Sequence, residues 1–176
     1  MKKVLVHICC GICAGYSLAR LKADGFKVMG FFYNPNIQPE EEYFKRLDVA
    51  ARSSNISHYE LIVGSYDLES WSAAVEGLEH EPEGGRRCSI CYKVRLQRTF
   101  LKAQELGISH IASTLSISPH KNTQEINRIG KEIAGDSFLE YDFKKDDGFK
   151  TTMAFSKFHA LERQNYCGCI FSRRTK

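Results

Sequence analysis

Residues 3–13 have the sequence KVLVHICCGIC, and this stretch decides the fold class. Its residues 4–8 form a short, almost uninterrupted apolar run, which is typical of a strand buried on both faces of a parallel sheet. A cysteine pair and Gly11 follow at once, so the strand ends in a turn that carries two thiols. Because open parallel sheets bind their ligands at the carboxyl ends of the strands, we expect the chemistry of the protein at this turn.

Short apolar runs alternate with helical patterns along the rest of the chain. Further strands are predicted at residues 26–33, 58–63 and 110–115, and a short fifth strand at 138–141. Helices are predicted at 14–23, after Pro39, and at 68–78, 89–106, 123–134 and 153–161. This alternation predicts an α/β fold with an open parallel sheet and helices on both faces, in three layers. Residues 1–176 are expected to form one domain with a basic C-terminal tail at about 163–176.

The composition is that of a globular protein with a substantial core. Hydrophobic residues make up 43% of the 176 residues and charged residues 26%, which excludes a disordered chain. No apolar run approaches the roughly 18 residues of a membrane span. The N-terminus runs directly into a strand and lacks the pattern of a signal peptide. We therefore expect a cytoplasmic protein with no membrane partner.

The charges are segregated along the chain. Residues 67–83 contain six acids and no Lys or Arg, whereas residues 86–102 contain six bases and no acid. The net charge of +4 comes entirely from residues 141–176, with eight bases against four acids. A charge run is commonly only a solvated helix face, but clustered bases also favour contact with nucleic-acid phosphates. The candidates for such contact are Arg86, Arg87, Arg95, Arg98, Lys102, Lys144, Lys145, Arg173 and Arg174.

The cysteines carry the strongest functional signal. They fall into three clusters, Cys9-Cys10-Gly11-Ile12-Cys13, Cys88-Ser89-Ile90-Cys91 and Cys167-Gly168-Cys169. An odd number of cysteines excludes a complete set of disulfides, and two C-x-x-C motifs together favour a zinc site or an iron–sulfur cluster. Spacing alone favours four ligands, which are Cys10, Cys13, Cys88 and Cys91.

Several separated motifs resemble the QueH family of epoxyqueuosine reductases, the non-cobalamin type that completes the queuosine modification of tRNA. The first is HICCGIC at residues 7–13, and the second is RCSICYKVRL at 87–96. They are followed by TLSISPHKN at 114–122, DFKK at 142–145 and RQNYCGCIFS at 163–172. So many motifs in the same order, spread along nearly the whole chain, make the resemblance specific.

This resemblance implies a reaction, a cofactor and partners. The reaction is the two-electron reduction of the epoxide of epoxyqueuosine, at the wobble position of the tRNA anticodon, to the alkene of queuosine. The implied cofactor is a [4Fe–4S] cluster, and the implied partners are the modified tRNA and an external electron donor. The implied cluster ligands are Cys9, Cys10, Cys88 and Cys91, which differ from the set based on spacing at one position.

Four further residues have candidate roles in this reaction. Cys167 and Cys169 are implied to be a redox-active pair that can close into a disulfide. Cys13 is left as a candidate ligand of an additional mononuclear iron or as a thiol facing the substrate. Asp142 is a candidate proton donor, although an acid before Lys144 and Lys145 is more often part of a loop ion pair.

The predicted fold also looks like the adenine-nucleotide alpha-hydrolase group, which includes enzymes that thiolate tRNA. Those enzymes carry a Ser-Gly-Gly-x-Asp-Ser loop for ATP after the first strand, and here residues 10–15 have the sequence CGICAG instead. The rival hypotheses are a zinc-knuckle module that binds nucleic acid, a cluster-dependent enzyme similar to the tRNA thiolases, and a thiol–disulfide oxidoreductase that uses Cys88 and Cys91 alone.

Overall fold

The computed structural model describes residues 1–173, and its centre is a four-stranded parallel sheet. The strands are β1 (Lys3–His7), β2 (Lys27–Phe32), β3 (Glu60–Val63) and β4 (His110–Ser113), in the order β3-β2-β1-β4. All three strand pairs are parallel. The predicted fifth strand is reduced to a single parallel bridge between Ile111 and Phe138. The predicted parallel α/β fold is therefore confirmed.

Helices cover both faces of this sheet. They are α1 (Gly11–Ala23), α2 (Glu40–Ser57), α3 (Leu68–Ala74), α4 (Arg86–Glu105), α5 (Thr123–Ala134) and α6 (Gly148–Phe158). Helices α2 and α6 pack against α1 on one face, while α5 packs against α4 on the other face and α3 adjoins α4. The result is the three-layer arrangement that the sequence predicts. Within residues 1–173, no helix combines the length and the apolar character needed to cross a membrane.

The side chains of β1 explain the apolar run that begins the sequence. Val4, Val6 and Ile8 are fully buried in the core beneath α1 and α2, whereas Leu5 is buried in the core beneath α4 and α5. Alternate residues of a strand point to opposite faces of the sheet. Both faces of this strand are covered, so both sets of side chains have to be apolar.

The strand order creates a switch point between β1 and β4. The chain moves outward from β1 through β2 to β3 and then returns to place β4 on the other side of β1. The backbone amide of Cys9 donates a hydrogen bond of 3.0 Å to the Thr114 hydroxyl, so the ends of β1 and β4 are joined there. Ligands of open α/β sheets bind at such a point.

Helix α4 begins earlier than the sequence pattern predicts. Its first residue is Arg86, and Gly85 before it has an extended backbone. Cys88 and Cys91 therefore both lie in the first two turns of a helix. The Cys88 side chain is half-buried and that of Cys91 is buried, so the pair faces inward from the helix start.

Candidate active site

Cys9, Cys10 and Cys13, which we call the inner thiols, lie where β1 ends and α1 begins. Their three sulfur atoms lie within 4.8 Å of one another. The Sγ atoms of Cys10 and Cys13 are 2.7 Å apart. Within residues 1–173 this is the group of Cys, His and acidic side chains compact enough to offer three ligand atoms to one metal ion.

Gly11 holds the inner thiols close to α2. A Cβ atom at this position would lie 2.4 Å from the carbonyl oxygen of Val49, which belongs to the backbone of α2. A residue with a side chain would push the two helices apart, because a backbone atom cannot move aside alone. The glycine between the cysteines therefore serves the close approach of α1 and α2.

Cys88, Cys91, Cys167 and Cys169, which we call the outer thiols, line one cavity. Cys91 and Cys169 are buried together with Trp71 and Val75 of the α3 segment. Sequence spacing gave no sign that the C-terminal thiols face the C-x-x-C of α4 or that Trp71 covers them. Further residues that line the cavity are Asn36, Glu83, Arg87, Tyr92, Arg95, His120 and Lys121.

The segment that carries Cys167 and Cys169 is docked on the domain. The backbone amide of Gln38 donates a hydrogen bond of 2.8 Å to the carbonyl oxygen of Gly168. Arg46 of α2 donates another, of 3.0 Å, to the carbonyl oxygen of Tyr166. These two contacts hold the segment against α2 and the loop before it. Gly168 has a φ of +104°, which requires glycine between the two thiols.

Each thiol group favours one thiolate. Hydrogen bonds from Cys10 and Cys13 lower the pKa of Cys9 well below its ordinary value. In the outer group, a hydrogen bond from Cys169 lowers the pKa of Cys167 to about 4, while burial opposes this shift. The hydrogen bond to Cys167 and burial raise the pKa of Cys169. Each group therefore combines one nucleophilic sulfur with at least one sulfur that keeps its proton.

A buried polar chain runs beneath the thiols. His7 is fully buried, and its Nε2 atom lies 3.1 Å from the Tyr33 carbonyl oxygen and 3.2 Å from Asn34 Oδ1. Both partners are acceptors, so Nε2 carries the proton and Nδ1 accepts from the Ser113 hydroxyl at 3.1 Å. Arg95 donates to the same Asn34 oxygen at 3.3 Å. Burial and the charge of Arg95 lower the pKa of His7 to about 4.

Two cations predicted to contact RNA are buried instead. Arg87 is 2% exposed, and its Nη1 atom donates to the carbonyl oxygens of three residues, Leu78, Glu79 and Glu81. Arg95 is 4% exposed and also donates to the Cys91 carbonyl oxygen. Both guanidinium groups are buried in the structure, so their exposure gives the prediction that they contact phosphates no support.

The other cations predicted to contact RNA differ in their exposure and in whether their charge is already paired. Arg98 and Lys102 are half-buried and form ion pairs with Glu105. Lys144 is half-buried, and its ammonium group donates to the Lys121 carbonyl oxygen and the Thr123 hydroxyl. The exposed members of the set are Arg86, Lys145 and Arg173, while Arg174 lies outside the described residues.

Asp142 does not line the thiol cavity. Its Oδ1 atom accepts a hydrogen bond of 3.1 Å from the Lys144 amide, and the Thr123 hydroxyl lies 3.4 Å away, so the carboxylate shapes the loop before α6. The acid that does line the cavity is Glu83, from the acidic stretch before α4. The signal for it in the sequence was its position five residues before Cys88, between a proline and two glycines.

The donor set fits an iron–sulfur centre. No disulfide joins any of the seven cysteines in this structure, so all seven sulfurs are available as ligands. The structure groups Cys13 with Cys9 and Cys10, whereas the set implied by the resemblance combines two inner with two outer thiols. A cluster ligated by four cysteines spaces their sulfurs around its own body, so its ligands need not touch one another.

The chain is similar over nearly its whole length to a family described as "Epoxyqueuosine reductase QueH", whose profile matches residues 4–175. The relative from Streptococcus pyogenes serotype M1 is 36% identical, across 97% of this chain and 70% of that protein. The relative from Thermotoga maritima is 37% identical, across 98% of this chain and 91% of its own length. The relative from Acinetobacter baylyi is 35% identical, across 98% of this chain and 81% of that protein. All three are named Epoxyqueuosine reductase QueH.

One solved structure with a related fold is the U34-tRNA thiolase NcsA from Methanococcus maripaludis with its [4Fe-4S] cluster. The TM-score is 0.59 over 98% of this chain and 62% of the thiolase, at 12% sequence identity. At that identity the likeness concerns the fold.

Proposed function

We propose that this chain, which belongs to the QueH family of epoxyqueuosine reductases and is thus an oxidoreductase, reduces the epoxide of epoxyqueuosine in tRNA to the alkene of queuosine. The observation that carries the proposal is the pair of thiol groups, the inner thiols where β1 ends and the outer thiols around one cavity. The reaction consumes two electrons and two protons and releases water. A site rich in thiols can supply both electrons and protons.

Four of the thiols are proposed to hold a [4Fe–4S] cluster. We assign this role to Cys9 and Cys10 at the end of β1 and to Cys88 and Cys91 at the start of α4. The cluster supplies low-potential electrons one at a time when it is bound. Cys13, the third inner thiol, remains available to hold an additional iron or to face the substrate.

Cys167 and Cys169 are proposed to act as the dithiol that completes the electron supply. Oxidation of two thiols to a disulfide releases two electrons and two protons, which balances the conversion of an epoxide to an alkene and water. The low pKa of Cys167 makes its sulfur the nucleophile, and Cys169 retains a proton. Glu83 is the carboxyl group of the cavity and is available to relay a proton. An external reductant then has to restore both thiols.

The substrate tRNA is proposed to lie across the exposed cations near the cavity. Arg86 precedes Cys88 at the exposed start of α4, and Arg173 follows Cys169 by four residues. Their charges are available to phosphates because neither forms an ion pair with another described residue. An odd number of cysteines, in clusters spaced for metal binding, suits a reducing compartment, so we propose that the reaction takes place in the cytoplasm.

Anaerobic purification with iron, sulfide and zinc assays tests the proposed function. We expect about four iron and four sulfide per chain, as a single cluster requires. The Cys91→Ala variant is expected to lose most of its iron while its circular dichroism shows a folded domain. Ser89→Ala, two residues earlier on the same helix, is the matched control that keeps the iron.

The alternatives give different results in the same experiment. Bound zinc without sulfide would instead identify a zinc-binding nucleic-acid module. Reduction of generic disulfides by iron-free protein would identify a thiol–disulfide oxidoreductase. The alternative of a tRNA thiolase is not favoured, because residues 10–15 lack the loop that binds ATP.

A further inference from the structure

Arg95 is a buried cation that lines the cavity of the outer thiols. Its side chain is 4% exposed and extends from α4 toward the carboxyl ends of the strands. Its Nε atom lies 3.4 Å from the Cys91 carbonyl oxygen, and Nη1 lies 3.3 Å from Asn34 Oδ1. Asn34 is itself held by donating a hydrogen bond of 2.9 Å to the Ile8 carbonyl oxygen, next to Cys9.

Among residues 1–173, no carboxylate lies within 4.0 Å of the Arg95 guanidinium group. The groups that contact it, a carbonyl oxygen, an amide oxygen and the Tyr92 ring, are all uncharged. Glu83 lines the same cavity, but so do two further cations, Arg87 and Lys121. A buried cation without an anionic partner is strongly destabilising.

The sulfur atoms are the anions that can compensate this charge. Arg95 lines the same cavity as Cys88, Cys91, Cys167 and Cys169, so these sulfurs are the nearby groups that can become anionic. Arg95 is connected to the inner thiols through Asn34, which it contacts and which is bonded to the Ile8 carbonyl oxygen beside Cys9. Four thiolates around a cluster make a site with a net negative charge, and each added electron makes that charge more negative.

We propose that Arg95 is the counter-charge of the thiolate-bound cluster and that it raises the reduction potential of this site. The inference rests on the proposed function, because it requires the cluster to be present. Arg95 is not a catalytic residue, since it acts on the reaction only through the thiolates. The guanidinium group remains protonated throughout, so its effect is electrostatic at any working pH.

The expected size of the effect follows from Coulomb's law. At an effective dielectric constant of about 20, a unit charge within about 10 Å changes the equilibrium constant for adding an electron at least tenfold. A tenfold change corresponds to about 59 mV for one electron. Loss of the positive charge disfavours the more negative, reduced state, so the potential of the cluster should fall by at least this amount.

The experiment is an anaerobic redox titration of the purified, iron-loaded protein, followed by its visible and electron paramagnetic resonance spectra. Arg95→Gln removes the charge and retains a hydrogen-bond donor, whereas Arg95→Lys retains the charge. The matched control is Arg98→Gln on the same helix, whose side chain is ion-paired with Glu105 at the surface. We expect a fall of at least about 59 mV in Arg95→Gln and wild-type potentials in the other two variants.

Each outcome decides the inference. Equal potentials in wild type and Arg95→Gln would overturn it, and so would equal shifts in Arg95→Gln and Arg95→Lys. If the Arg95→Gln variant cannot retain iron, the Arg95→Lys variant decides. Iron retained by Arg95→Lys at the wild-type potential supports the inference, whereas loss of iron in both variants overturns it. Wild-type protein without iron and sulfide would overturn the proposed function itself, which separates the two failures.

Discussion

The stability of the protein should depend steeply on pH because of one residue, His7. Its ring is fully buried at the end of β1, and both of its nitrogen atoms have hydrogen-bond partners. Burial and the charge of Arg95 lower its pKa from 6.5 to about 4. In the unfolded chain the ring is free to bind a proton at its ordinary pKa. The perturbation is therefore a fall in pH, applied to wild type and to a His7→Gln variant.

The sign and size of the effect follow from proton linkage. Between pH 6.5 and pH 4, His7 is protonated in the unfolded chain but stays neutral in the folded protein. Lowering the pH through this range therefore favours unfolding, and the effect levels off below the folded pKa of about 4. Integrated over these two values, the free energy of unfolding falls by about 2 kcal/mol between pH 7 and pH 5. The loss reaches about 3 kcal/mol at pH 4.

Urea unfolding of the iron-free chain at a series of pH values measures this contribution. Other groups also titrate, so the quantity of interest is the difference in slope between wild type and His7→Gln. His80→Gln, at an exposed position, is the control that should follow wild type. Parallel pH profiles for wild type and His7→Gln would refute the reasoning, because the buried ring would then have no share in the acid sensitivity.

Two further predictions concern the tail thiols and the RNA surface. The double variant Cys167→Ser, Cys169→Ser should keep its iron and sulfide but lose multiple turnover. A loss of about one iron per chain with unchanged sulfide would instead show that the two cysteines bind a second iron. Arg86→Gln should weaken tRNA binding and reduce its salt dependence by about one phosphate contact in titrations at several salt concentrations. Arg128→Gln, ion-paired on α5, is its control, and equal salt slopes for the two variants would remove Arg86 from the RNA surface.

Much of the fold was predictable because its signals are local. A strand buried on both faces has to be apolar throughout, so β1 could be recognised from residues 4–8 alone. The turn after it, with Cys9 and Cys10, could be assigned to the carboxyl edge of a parallel sheet by topology. The weakest prediction was the fifth strand, where Phe138 makes only a single bridge to Ile111. Pairing of an edge strand depends on neighbours that the sequence pattern does not show.

By itself, the sequence determined the parallel α/β architecture and the importance of the thiols. Only the tertiary structure decided how the seven thiols are divided, because Cys167 reaches α4 through contacts with the loop at Gln38, more than a hundred residues away along the chain. Only the structure shows that Arg95, which the sequence suggested as an RNA contact, is buried and lines the cavity of the outer thiols. The spacing of residues along a helix defines its faces. Whether a cation on one face is exposed to water or buried depends on the segments that pack over that face, and these come from distant parts of the chain.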